Sequence, residues 1–224
     1  MPTIEQSRAW YPTDPVHGFD HVLRVYRLAE YLALQESADL EIVHAAVLLH
    51  DVDISLLNDT NSQPTEPCDL SGLPIRAAHH HSSSEFARQV LQAEGWPETR
   101  ISAVQHCIRA HRFRDATEPP NTLEAQILFD ADKLDASGAV GVARAIAYAV
   151  THSQPVFAEP SERFLNTGQT EPGEPHSAYH EYVFKLRYLH DRLYTPAARV
   201  MAEERHRCLN EFFYRLAIEN KDLG

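Results

Sequence analysis

Cysteine, glycine and long apolar stretches are all scarce in this chain of 224 residues. Its three cysteines are widely spaced and form no CxxC pair, which argues against a disulfide framework or a zinc knuckle and predicts a reducing, cytoplasmic location. No apolar run approaches the roughly 18 residues that a membrane helix needs, and we expect no signal peptide. Bases number 20 against 32 acids, so the net charge of −12 argues against binding to nucleic acid or to an anionic membrane.

What the chain does have is helical spacing of its apolar residues, and little of the alternation typical of β-strands. The composition, with 43% hydrophobic and 23% charged residues, is ordinary for a globular protein. We therefore predict a single all-α domain over 1–224, with core motifs in 13–150, a loop or insertion over 151–177 and C-terminal helices over 178–221. The predicted helices span 19–35, 40–49, 82–95, 97–111, 122–137, 138–150, 178–194 and 196–220, and a further loop spans 58–72.

A few residues mark the ends of these helices. Asp39 is the predicted N-cap of the apolar helix that ends at Leu49, and Gly95 ends the helix before it reaches Pro97. Gly138 and Gly141 lack the spacing of a nucleotide-binding loop, so they are expected to let two helices approach closely.

Histidine is abundant, with 14 in the chain, and its placement carries the most information. A His-Asp dipeptide occurs twice, although composition predicts about one by chance. His190-Asp191 lies beside two arginines, so we expect a solvated helix face with an ion pair there. His50-Asp51 differs because it ends a helix with almost no polar residue, so both side chains are expected to enter the interior.

Two further elements belong with this dipeptide. His21 shares a helix face with apolar residues, and the string DADKLD places three carboxylates in 130–135. Buried carboxylates need a partner, and a shared divalent cation is the simplest account of all three elements together. Two imidazoles and two carboxylates suit a first-row metal such as manganese or iron and leave two octahedral positions open.

The order of these elements resembles the HD-domain superfamily of metal-dependent phosphohydrolases. The resemblance is carried by HGFDHVLRVYRLA (17–29), AAVLLHDVD (45–53), IRAHRF (108–113) and TLEAQILFDADKLDASGAVGVARA (122–145). The string KLRYLHDRLYTPAARVMAEERHRCLNEFFYRL is similar to the C-terminal helices of a nucleotide pyrophosphohydrolase branch among small bacterial members. The resemblance implies an all-α HD-domain bundle with a metal site in its centre.

Carried over residue by residue, the resemblance implies metal ligands at His21, His50, Asp51 and one aspartate of DADK. Asp132 is preferred because the last ligand of the family usually precedes a basic or apolar residue in this string, and Asp130 is the alternative. The implied cofactor is a divalent metal ion. Manganese is the first choice, and magnesium, iron(II), nickel, cobalt and zinc are the alternatives.

Three more residues are expected at the catalytic site. Lys133 matches a position that meets substrate phosphate in related triphosphohydrolases, and His111 matches a histidine that would contact phosphate or donate a proton. His80 belongs to a His triplet before a predicted helix start, where backbone N–H groups could hold an anion. His80 and His111 would also be the candidates for a second metal, and His17 is a weaker candidate on the face of His21.

At one position this chain differs from related 5′-nucleotidases, and the difference bears on the substrate. Related 5′-nucleotidases carry a carboxylate three residues after the HD aspartate, and this chain has Ile54 there and Asp53 one residue earlier. This departure argues against a simple monophosphatase. The resemblance to the nucleotide pyrophosphohydrolase branch implies hydrolysis of a nucleoside triphosphate to monophosphate and pyrophosphate. The alternatives are a nucleotide monophosphatase, a cyclic-nucleotide phosphodiesterase, or a non-enzymatic metal- or nucleotide-binding module that signals through 152–177. The expected partner is a small nucleotide or phosphate ester, and a homodimer stays open.

Overall fold

The computed structural model describes residues 1–14, 16, 18–52, 79–112 and 118–221, and these residues contain helices and turns but no β-strand. None of the helices in these ranges has the length and apolarity that crossing a bilayer would require. The α-helices in chain order are α1 Ile4–Arg8, α2 Phe19–Glu36, α3 Leu40–Leu49, α4 His79–Ala93, α5 Glu98–Ala110, α6 Leu123–Asp135, α7 Gly138–Thr151, α8 Glu162–Thr167, α9 Ala178–Phe184 and α10 Pro196–Lys221.

The chain divides into two compact units, Met1–Asp132 and Lys133–Gly224, and the boundary falls within α6. In the first unit α2 and α3 form an antiparallel pair joined by a short turn. Ser37 ends α2 in the left-handed conformation, and the Asp39 side chain accepts hydrogen bonds from the backbone N–H groups of Glu41 and Ile42. The predicted N-cap is therefore confirmed. The buried face of α3 is almost wholly apolar, and this anchors the helix in the core.

Helices α3, α5 and α6 run in the same direction. Their N-terminal ends are joined at Asp39, whose carboxylate accepts two hydrogen bonds from Arg100 at 2.9 and 3.0 Å. The Asp39 backbone N–H also donates to Glu124 near the start of α6, at 3.1 Å. Parallel helices that start together and have similar lengths also end together, at about 1.5 Å of rise per residue. The C-terminal ends of the three helices therefore meet at the N-terminal end of α2, and the candidate site lies there.

In the second unit α7 packs against α10. Gly138 has a positive φ of 63°, and a Cβ at this position would lie 3.1 Å from the side chain of Arg205 on α10. The expected close approach of two helices is thus found at Gly138. At Gly141 a Cβ would instead lie 2.3 Å from the carbonyl oxygen of Ala136, so there the preceding turn also requires glycine.

The 151–177 segment is anchored by one carboxylate. Glu174 accepts hydrogen bonds from the backbone N–H and the hydroxyl of Ser161, both at 2.7 Å, and from the Glu171 N–H at 2.6 Å. Its fourth donor is His180 Nε2 at 3.0 Å, in α9. Burial raises the pKa of Glu174, but the four donors outweigh burial and lower it from 4.5 to about 2. The segment is therefore fastened to α9 and contains its own helix, α8.

Glu174→Gln should lower the free energy of unfolding by about 2 kcal/mol at pH 7, because it replaces a charged acceptor of several hydrogen bonds. A depressed carboxyl pKa stabilises the fold above pH 4.5, and this contribution disappears as the pH falls toward 2. The difference between wild type and variant should therefore shrink between pH 4.5 and 2, as measured by urea unfolding. Glu171→Gln is the control, since only the backbone of Glu171 binds Glu174. Equal effects from the two variants would contradict this account.

Two boundary predictions were wrong. The expected helix over 178–194 is instead the short α9 followed by two single 3₁₀ turns, Leu186–Tyr188 and His190–Arg192. Lys185, with φ −127° and ψ −58°, interrupts the helical conformation between them. Helix α4 begins at His79, three residues before the predicted start, so the His triplet forms its first turn. The predictions for the 58–72 loop, His17, Asp53 and Ile54 lie outside the described residues.

Candidate metal centre

His50 is the C-cap residue of α3, and its ring is completely buried. Its Nδ1 lies 2.7 Å from the Val47 carbonyl oxygen, one turn back. A carbonyl only accepts hydrogen bonds, so Nδ1 carries the proton and Nε2 holds a lone pair. Among the described residues this buried Nε2 has no hydrogen-bond partner. An unsatisfied buried acceptor costs roughly 1–3 kcal/mol, so the site is built for something that takes this lone pair.

The surroundings of His50 keep its ring neutral. The pKa of His50 is lowered from 6.5 to about 4, mainly by burial and also by the neighbouring His111 and His21. The carboxylates of Asp51 and Asp132 oppose the shift. A neutral imidazole is the form that binds a metal ion, so no proton has to leave His50 at neutral pH before binding.

His111 repeats this arrangement at the end of α5. It is the C-cap residue of that helix, it is buried, and its Nδ1 hydrogen bonds to the Ile108 carbonyl, again three residues back. The His50 and His111 rings lie 5.2 Å apart at 89° to each other. Because α3 and α5 are parallel, each delivers an imidazole to the same point, with the tautomer set by its own last turn.

Asp51 and His21 complete the cluster. One ligand atom from each of His21, His50 and Asp51 can be chosen so that all three lie within 4.8 Å of one another. Asp51 Oδ1 is 3.4 Å from His111 Nε2, and Asp51 Oδ2 is 3.9 Å from His50 Nε2. Ligands about 2.1 Å from one ion lie about 3 Å apart when adjacent and about 4.2 Å apart when opposite. The structure thus brings the predicted residues together at a spacing that a single ion can close with small side-chain movements.

Asp132 is the residue of the DADK string that contacts the cluster. Its Oδ1 is 3.4 Å from His21 Nε2, and its side chain is 19% exposed. Asp130 is fully buried. Two residues along an α-helix are about 200° apart around its axis, so Asp130 and Asp132 face opposite sides of α6. This geometry favours Asp132 over Asp130 as the ligand, although the assignment stays a prediction.

A divalent cation fits these residues on three counts. The donors are imidazole nitrogens and carboxylate oxygens, which suit first-row metals. The C-terminal ends of α3 and α5 point partial negative charge toward the cluster, which favours a cation. The Asp51 side chain is 27% exposed while the imidazoles are buried, so the cluster is closed on its protein side and open toward solvent at Asp51.

The other histidine and arginine candidates are placed less centrally. His80 is buried in the first turn of α4, and its Nδ1 lies 3.4 Å from Arg112 Nη1. Arg109 is paired with Glu118 through two hydrogen bonds, at 2.7 and 3.0 Å. The Glu118 carboxylate therefore neutralises the positive charge of Arg109.

The remaining candidates lie in the second unit. Lys133 is buried and lines a small cavity with His190, His206 and several leucines. His190 Nδ1 lies 3.1 Å from the exposed Asp191 carboxylate. The second His-Asp dipeptide thus forms a surface hydrogen bond, and it lies in a 3₁₀ turn rather than on the expected longer helix face.

Sequence reasoning missed Tyr11, which is buried beside the cluster. Its hydroxyl donates to the Leu48 carbonyl at 3.0 Å. Burial and the nearby Asp51 carboxylate raise the pKa of Tyr11 above its usual value. No spacing or motif in the N-terminal segment points to this contact, which joins residues 37 positions apart.

Comparison with known proteins places these features in context. A family model described as HD domain matches residues 18–137. The YpgQ protein of Bacillus subtilis strain 168 is 34% identical over 220 residues, which cover 95% of this chain and 91% of YpgQ. The crystal structure of B. subtilis YpgQ in complex with ADP has a TM-score of 0.66 at 28% identity and covers 97% of each chain. A crystal structure from Lactobacillus plantarum has a TM-score of 0.73 at 25% identity and covers 99% of this chain and 100% of that one.

Proposed function

Because this chain belongs to the HD domain family, we propose that it is a metal-dependent phosphohydrolase that cleaves nucleoside triphosphates to a monophosphate and pyrophosphate. The observation that carries the proposal is the buried Nε2 of His50, which has no hydrogen-bond partner among the described residues, beside His21 and Asp51. The complex of the related YpgQ with ADP supports a nucleotide as the ligand class. The similarity to YpgQ extends over nearly the whole chain.

In this proposal His21, His50, Asp51 and Asp132 hold one divalent cation, with manganese as the first choice. The bound cation would supply Lewis acidity toward the phosphoryl group. The net reaction adds water to the α-phosphorus, breaks the bond from this phosphorus to the bridging oxygen and releases pyrophosphate. With two carboxylate ligands and a dication the inner shell is about neutral, so a triphosphate needs further cationic groups. Lys133, and Arg112 beside His80, are the proposed source of that charge.

His111 is proposed to accept a proton and then to donate it. Its Nδ1–H is engaged with the Ile108 carbonyl, so Nε2 carries the lone pair in the neutral ring. That atom, 3.4 Å from the Asp51 carboxylate, can accept a proton from an incoming water. It can return the proton to a leaving oxygen only after it has been protonated. His111 therefore acts first as a base, and proton donation follows from that step.

A nucleotide panel tests the proposal. Purified protein is incubated with nucleoside and deoxynucleoside tri-, di- and monophosphates in the presence of Mn²⁺, Mg²⁺, Fe²⁺, Ni²⁺, Co²⁺ or Zn²⁺, and the products are separated by anion-exchange chromatography. We expect equal amounts of monophosphate and pyrophosphate, with Mn²⁺ as the best ion. Release of orthophosphate would favour the phosphatase alternative. Nucleotide binding without turnover under every ion would favour the non-enzymatic module.

Lys133→Ala should retain bound metal but raise KM for the triphosphate or lower kcat, by about tenfold, because it removes one charge from the phosphate site. Lys221→Ala is the control, since this lysine at the end of α10 is exposed and pairs with Glu159 at the surface. Steady-state kinetics together with elemental analysis of metal content measures both effects. Kinetics identical to those of wild type would remove Lys133 from the site.

A further inference from the structure

The loop that carries His50 and Asp51 is tied to other elements before and after the dipeptide. Before it, the Tyr11 hydroxyl donates to the Leu48 carbonyl at 3.0 Å. After it, the Ser83 hydroxyl donates to the Val52 carbonyl at 3.3 Å. Both donor residues are buried. The dipeptide is therefore held by long-range contacts in addition to the turns of its own helix.

Tyr11 makes the closer connection of the two. Leu48 lies in the last turn of α3, where carbonyl groups lack partners within the helix. The hydroxyl therefore holds the backbone immediately before Leu49 and His50. Its ring is fixed in turn by Phe19, whose centroid is 5.6 Å away at the start of α2, two residues before His21.

These contacts restrain the backbone that carries the Asp51 carboxylate. The His50 ring is oriented by its bond to Val47, but that bond does nothing for Asp51. Asp51 follows the last helical residues, where a chain would otherwise fray. The bond from Tyr11 to the Leu48 carbonyl holds the last turn of α3, from which the backbone of Asp51 continues. Loss of the hydroxyl would free that backbone without removing any atom that touches the ion.

We propose that Tyr11 is a positioning residue, whose hydroxyl holds the Leu48 carbonyl at the end of α3 so that the His50 and Asp51 side chains converge on one divalent cation. The inference rests on the proposed function, since it assigns Tyr11 a role toward the same metal. Supporting groups of this kind typically account for about 10- to 100-fold in metal affinity. Because Tyr11 acts through the backbone, the lower end of that range is expected.

Tyr11→Phe tests this directly, because it keeps the ring against Phe19 and removes only the hydroxyl. In the metal-free protein, the Leu49 amide in the last turn of α3 should be protected from hydrogen exchange in wild type and should exchange about tenfold faster in the variant, as followed by NMR. Calorimetric titration should show Mn²⁺ binding weakened about tenfold. With saturating Mn²⁺, KM for the triphosphate should stay unchanged, since Tyr11 does not contact substrate.

Tyr26→Phe is the matched control. It removes one phenol hydroxyl from α2, where the ring stacks on His44 in the first half of α3, and it should change neither amide exchange at Leu49 nor Mn²⁺ affinity. Equal weakening by both variants, or wild-type Mn²⁺ affinity in Tyr11→Phe, would overturn the inference. An unprotected Leu49 amide in wild type would overturn it even if the variant failed to fold. Wild type that binds none of the ions would overturn the proposed function itself.

Discussion

Asp51→Ala should lose bound manganese and hydrolytic activity together, with turnover reduced about a thousandfold or more. Asp51 is placed between His50 and His111, with its two oxygens 3.9 and 3.4 Å from their Nε2 atoms. Removing it deletes a negatively charged ligand at the exposed side of the cluster, where substrate would enter. A loss of roughly 4 kcal/mol of transition-state stabilisation corresponds to that thousandfold change.

The chain supplies a matched control for this variant. Asp191→Ala changes the aspartate of the other His-Asp dipeptide, which is an exposed surface pair. We expect it to retain metal content and turnover within experimental error, because exposed pairs contribute little. Metal analysis after gel filtration, pyrophosphate release and the thermal unfolding midpoint would be measured for both. Full turnover by Asp51→Ala would refute its assignment as a ligand.

Asp132→Asn and Asp130→Asn should have opposite phenotypes. Asp132 faces His21 at 3.4 Å, so its variant should bind Mn²⁺ about 100-fold more weakly while unfolding at nearly the same temperature. Asp130 is fully buried on the other face of α6, so its variant should keep the Mn²⁺ affinity of wild type and lose thermal stability. The substitutions are isosteric, which separates the effect of charge from that of packing.

Calorimetric titration with Mn²⁺ and differential scanning calorimetry of the metal-free proteins measure the two effects separately. If Asp130→Asn abolished binding and Asp132→Asn did not, the alternative ligand would be correct. If neither variant weakened binding, α6 would contribute no ligand, and the site would be limited to His21, His50, Asp51 and His111.

Several parts of the fold could be read from local sequence, because their causes are local. Asp39 caps α3 through the side chain of a single residue, and the apolar run after it is long enough to predict burial. The all-α class and the resemblance to the HD superfamily were likewise expected, and the model and the family match confirm them. The 178–194 prediction failed because periodicity cannot detect a change of backbone angles at one residue, Lys185.

The sequence by itself determined which side chains could bind a cation, because donor types and helix ends are properties of short segments. Only the tertiary structure decided that α3, α5 and α6 run parallel, so that their C-terminal ends meet. It also decided that Asp132 rather than Asp130 faces His21, that Glu118 pairs with Arg109, and that Tyr11 reaches the Leu48 carbonyl. These contacts join residues far apart in the chain, and they form only when the packing of the core brings their helices together.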